Sequence, residues 1–111
     1  MKKALTEFHR VLKRGGCARI SVPDFELLCR KYLDPRNTFD ERFHLMQMVF
    51  GGQADAHDFH HVGLDYELLS GYLKAAGFSR VERTGDFGLF DDDSRAEFRG
   101  EPISLNVVAY K

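Results

Sequence analysis

The segment EFHRVLKRGGCARISVPD, residues 7–24, runs from a helix into a strand through two glycines, and that order limits what the chain can fold into. Ala4, Leu5, Phe8, Val11 and Leu12 recur at the spacing of one apolar stripe on an α-helix. Lys13 and Arg14 fall in its last turn, where cations suit the helix dipole, and Gly15 and Gly16 supply the left-handed conformation that ends helices. Ala18, Ile20 and Val22 then alternate with Cys17, Arg19 and Ser21 as a strand. Pro23 marks the end of that strand because it has no N–H to donate, and Asp24 suits the cap of the next helix. A helix that feeds a strand in this way is usually the second half of a strand–helix–strand unit. Only three residues precede the helix, so the strand before it is expected to be missing.

The remaining pattern gives three more helices and two more strands. A short helix after Asp24 turns Leu27, Leu28, Lys31 and Tyr32 to one side and ends at Asp34-Pro35. A third helix starts near Asp40 and carries Phe43, Met46, Val49 and Phe50 to Gly51-Gly52. QADAHDFHHVG is polar and aperiodic and reads as a loop. Asp65 caps a fourth helix with Leu68, Leu69, Tyr72, Leu73 and Ala76 as its stripe, Gly77 as its stop, and Gly71 inside it as a mark of close packing. Ser79 to Thr84 is a strand with Val81 inward, and GDFGLFDDDSRAEFRGEP is a loop long enough to be a functional candidate. Ile103, Leu105, Val107 and Ala109 alternate with Ser104, Asn106, Val108 and Tyr110 in a last strand whose second face is also apolar. That two-faced pattern predicts a central strand. The expected sheet therefore runs first, last, second, with the last strand antiparallel to both neighbours.

At 111 residues the chain suffices for one domain, 1–111, with a modest core. A net charge of −1 gives no reason to expect nucleic acid or an anionic membrane as partner. No apolar run approaches the roughly 20 residues that span a bilayer, and MKKALTEF lacks the apolar region of a secretory signal. Cys17 and Cys29 fall in regular structure and read as reduced thiols of a cytoplasmic protein.

ALTEFHRVLKRGGCARISVPD resembles the stretch after the fourth strand of class I S-adenosylmethionine-dependent methyltransferases, where a helix commonly ends in "RVLKPGG" before a fifth strand. Arg14 stands where that form usually has proline. LLSGYLKAAGFSRVE is similar to the family's "L…L..AGF..V" helix and sixth strand, and ISLNVVAYK looks like its seventh strand, inserted antiparallel between the fifth and sixth. The resemblance implies an α/β fold that is the C-terminal half of a Rossmann-like methyltransferase domain: a small three-stranded mixed sheet with helices packed on it. It implies further that the chain is a fragment or a truncated gene product that retains the acceptor-substrate side. The glycine-rich loop and ribose-binding acid of the family belong to the missing half, and the chain has no G-x-G-x-G. S-adenosylmethionine is therefore the cofactor of the full family but is not expected to bind this chain alone, and no cofactor-binding residue is assigned.

Candidate site residues come from three places. HDFHH sets His57, His60 and His61 beside Asp55 and Asp58. A metal site is one reading, but loop spacing gives no defined ligand geometry and no cysteine pair joins it, so no metal ligand is assigned. The resemblance puts a "GGQ…H" loop at the active-site mouth, which makes His57 or His61 a substrate contact or general base; the plainer reading is a solvated or capping histidine. Asp24 lies at the carboxyl end of the first strand, where α/β ligands bind, and is equally a plain helix cap. Asp91 with Asp92 and Asp93 would clamp a cationic acceptor or a divalent ion, or would form an ordinary solvated acidic loop. Phe43, Phe50, Phe59, Phe87 and Phe90 read mainly as core, with Phe59 and Phe90 in loops where they would line a pocket. The competing functional reading is a non-catalytic interaction module. In either case the outer edge of Cys17–Val22, left without its neighbour, is the expected seam of a homodimer.

Overall fold

The computed structural model describes residues 1–52 and 60–111. In chain order these form α1 (Lys2–Val11), β1 (Cys17–Pro23), α2 (Phe25–Tyr32), α3 (Phe39–Phe50), α4 (Tyr66–Ala75), β2 (Arg80–Thr84), a 3₁₀ turn at Asp93–Arg95, the short strands β3 (Glu97–Phe98) and β4 (Glu101–Pro102), and β5 (Ser104–Tyr110). Side-chain caps start three of the helices, two of them at the aspartates expected from sequence. The carboxylates of Asp24 and Asp65 accept from the backbone N–H groups of Leu27 and Leu68. Thr38 and Glu41 close a reciprocal capping box at the start of α3.

The last strand takes the middle of the sheet. The order is β1-β5-β2 and both pairings are antiparallel, with Cys17 opposite Tyr110, Pro23 opposite Ser104, and Val81 opposite Ala109. No parallel ladder joins the described strands, so the sheet is antiparallel rather than mixed; a single parallel bridge links Asp24 to Leu64. Leu105, Val107 and Ala109 are fully buried on one face against Leu5, Leu69, Leu73 and Phe78, which places α1 and α4 on the same side. The opposite face differs from the expected apolar cover. Asn106 is buried there, donating to the carbonyls of Gly85 and Ser94, whereas Val108 and Tyr110 stay partly open, with the guanidinium of Arg80 over the Tyr110 ring.

β1 is an edge strand, and its hydrogen-bond phase is fixed by its ends. Gly16 O accepts from Lys111 and Asp24 N donates to Ile103, so even-numbered positions face β5; Phe25 N donates to Leu64 on the other side. Odd-numbered Cys17, Arg19 and Ser21 therefore point their N–H and C=O groups outward. Pro23 also has its nitrogen outward, and this is why the strand continues through it instead of ending before it.

A second core lies under α2 and α3, where Leu28 and Leu45 meet Phe98 and Ile103. Here the sequence expectation needs correcting. Helix α3 has two apolar stripes, and the one that faces inward is Leu45, Met48 and Val49; Phe43, Met46 and Phe50 are exposed. The expectation that Phe43 and Phe50 belong to the core therefore fails. Leu68 is likewise exposed on α4, and a side chain at Gly71 would meet nothing within 4 Å, so that glycine marks no close packing. The stretch 85–102 is a folded flap rather than an open loop: it holds the 3₁₀ turn and the β3–β4 hairpin, and it is tied to β5 by Ile103 N donating to Ala96 O. Chemical denaturation separates the two stripes of α3. Leu45→Ala is expected to destabilise by about 2–5 kcal/mol, and Phe43→Ala by no more than about 0.5 kcal/mol.

Candidate functional site

A recess lies at the carboxyl end of β1. It is a cleft of about 440 Å³ whose walls come from Ser21, Val22 and Pro23 of β1, Phe25 and Leu28 of α2, Met48 and Val49 of α3, and His60, Val62, Gly63 and Leu64. Asp93 and Ala96 of the flap close it, together with Ile103 and Ser104 at the start of β5. The lining is apolar except at His60, Asp93 and the two serines.

Local bonds hold segment 60–64 in place. His60 N donates to Phe50 O at 3.0 Å, at the end of α3, and Phe25 N donates to Leu64 O at 3.1 Å. Between them Gly63 passes so close to Phe25 that a Cβ would fall 2.4 Å from the ring, so glycine is required by space rather than by backbone angle. The His60 ring is oriented too: Nδ1 lies 3.2 Å from the carbonyl oxygen of Met48. A carbonyl only accepts, so Nδ1 carries the proton and Nε2 of the neutral ring is left as an acceptor. Ser104 Oγ is committed to Asp93 O. The arrangement offers an apolar body site with one oriented imidazole beside it.

The candidates named from sequence do not converge on this cleft. Asp24 caps α2 and faces Arg83 at 3.5 Å, so its carboxylate serves the helix start and an ion pair. His61 is exposed and absent from the lining, and Phe90 and Asp91 stand exposed on the flap. His57, with Asp55, Asp58 and Phe59, lies outside the described residues. Asp92 is occupied locally: its carboxylate accepts from Ser94 N, and the Ser94 hydroxyl, followed by that backbone N–H, lowers its pKa. His60, the histidine that does line the cleft, was in the quoted motif but not singled out, because nothing in HDFHH distinguishes one ring from another before α3 supplies the Met48 carbonyl. Among the described residues no three histidine, cysteine or acidic side chains gather as a metal site would need.

A second polar cluster fastens the flap. Arg99 and Gly100 both have positive φ, 52° and 72°, as a two-residue hairpin turn of type I′ demands. Arg99 is not a glycine, and the strain is held by its fork on Glu41, with Nε–Oε1 at 2.9 Å and Nη2–Oε2 at 2.6 Å. Lys31 pairs with Glu101, and Arg36 pairs with Asp34 at 2.7 Å. The Arg99 bond, helped by the Thr38 N–H, holds the Glu41 carboxyl down to about 2, and Arg36 and Lys31 lower Asp34 and Glu101 in the same direction. No protein-family model matches this chain, and a search of curated proteins finds no match.

Two tests follow from this geometry. Each of these carboxyls is more acidic folded than unfolded, so the stabilisation is complete above the ordinary Glu range and is lost as pH falls from about 4.5 toward 2. Thermal melts over that interval should show it, and Arg99→Asn, which keeps the turn but removes the fork, should flatten the slope. Gly63→Ala should displace the Phe25 ring and destabilise by about 1–3 kcal/mol, with the shift visible in the Phe25 ring proton resonances.

Proposed function

We propose that the chain is the C-terminal, acceptor-substrate-side portion of a class I S-adenosylmethionine-dependent methyltransferase fold, a Rossmann-like half-domain without catalytic activity of its own. The observation that carries the reading is the sheet: the last strand lies antiparallel between two strands that run parallel to each other, and the helices preceding those two strands, α1 and α4, share one face. The sequence resemblance expects the same arrangement. The cleft at the carboxyl end of β1 is then the place for the methyl acceptor, with His60 beside it.

The residues present do not fit the cofactor. After β1 the chain passes through Pro23 and Asp24 directly into α2, whose first turn is already capped by the Asp24 carboxylate. Gly15 lies between a helix and a strand, the reverse of what a nucleotide loop needs.

A second reading, a non-catalytic α/β interaction module, is favoured by the outer stripe of α3. It forms with Phe25, Tyr32 and Leu33 an open, wholly apolar groove of about 440 Å³. The coding sequence upstream of Met1 separates the two. An in-frame glycine-rich strand–loop–helix supports the methyltransferase reading, and a ribosome-binding site immediately before Met1 favours the module. Titration calorimetry of the isolated chain with S-adenosylhomocysteine should give no heat of binding; a micromolar Kd would overturn the assignment of the cofactor to another segment.

A further inference from the structure

Three features meet at the outer edge of β1. The first is the unpaired backbone of Cys17, Arg19 and Ser21, which has no backbone partner among the described residues. The second is on α1. Lys2 lies over the Tyr72 ring, His9 packs on Phe78, and Leu5 enters the core, which fixes the side of α1 that faces α4. Ala4, Phe8 and Val11 lie roughly 100° farther round the helix, away from α4. Since α4 covers the β5–β2 side, this flank overhangs the open edge, and Phe8 and Val11 on it are 49% and 65% exposed.

The third feature is charge. Residues 1–22 hold six basic side chains against one acid, whereas the rest of the chain has ten against sixteen. Glu7 is already paired with Arg10. Lys3, Lys13, Arg14 and Arg19 are exposed and have no ion-pair partner among the described residues. Two copies joined edge to edge, the homodimer expected from sequence, would bring these like charges together.

We infer that the β1 edge is a docking site for an extended polypeptide segment that alternates apolar and acidic residues. Its backbone completes the ladder on Cys17, Arg19 and Ser21. Its apolar side chains fall on the face of Ala18, Ile20 and Val22, beneath Phe8 and Val11. Its acidic side chains fall on the other face, beside Arg19. The site ends at Leu64, where the chain's own bridge to Asp24 begins, and this limits the docked strand to about the length of β1. The inference rests on the interaction-module reading, because in the methyltransferase reading this edge belongs to the strand that precedes α1.

Proline substitutions distinguish the two sides of the strand. Ile20→Pro would remove an N–H that faces β5 and would break the sheet. Ser21→Pro removes only an outward N–H, as the native Pro23 already does, and its far-UV circular dichroism should match the parent. The probe is a labelled eight-residue peptide of alternating Val and Glu, with a Val and Lys peptide as control, followed by fluorescence anisotropy. The acidic peptide should bind at least tenfold more tightly than the basic one and should weaken at least fivefold in 0.5 M NaCl. Ser21→Pro should cost at least tenfold, and Arg19→Glu, whose exposed side chain leaves the fold intact, should reverse the preference. Equal binding of the two peptides, or undiminished binding to Ser21→Pro, overturns the inference. So does a dimer in light scattering that disappears in Ser21→Pro while no peptide binds, because the edge then belongs to a second copy.

Discussion

Both ladders of the sheet pass through β5, so the structure depends on one strand that is paired on two edges and carries buried side chains on both faces. Its odd positions, Leu105, Val107 and Ala109, are buried in the main core, and its buried Asn106 faces the other way. Burying a carboxamide is costly without partners. Here its N–H₂ group donates to Gly85 and Ser94, and that requirement draws the flap back across the sheet. The flap in turn supplies Asp93 and Ala96 to the cleft, beside Ile103 and Ser104 at the start of β5. A polar residue in the central strand thus organises the wall of the candidate site.

The flap needs a second anchor, and the charged cluster provides it. Arg99 adopts a backbone conformation that most side chains avoid, and its fork on Glu41 ties the hairpin tip to the first turn of α3. The same Glu41 completes the capping box with Thr38. One carboxylate therefore couples the start of α3 to the hairpin that covers Leu45 and Leu28. The pairs are exposed enough that each alone counts for little; their use lies in fixing position across elements distant in sequence.

Much of the local structure was legible beforehand because its causes are local. The caps at Asp24 and Asp65 and the central place of the last strand follow from side-chain chemistry and alternation over a few residues. The inward stripe of α3 did not follow, because that helix is apolar on two sides and periodicity alone does not say which side meets the core. Nor did the site: Asp24, Phe90 and Asp91 were conspicuous as residue types, but what a carboxylate or an aromatic ring does depends on its neighbours.

The sequence by itself determined which segments form the four α-helices and the three strands of the main sheet, where α2 and α4 begin, and that the final strand is central. Each is set by interactions between residues close along the chain or by a two-residue period. Tertiary structure alone decided that Pro23 belongs to β1, that 85–102 is a folded flap, and that His60 lines the cleft. These depend on the direction of an N–H relative to β5, on the partners of a buried amide, and on a carbonyl supplied by α3, none of which a linear pattern encodes.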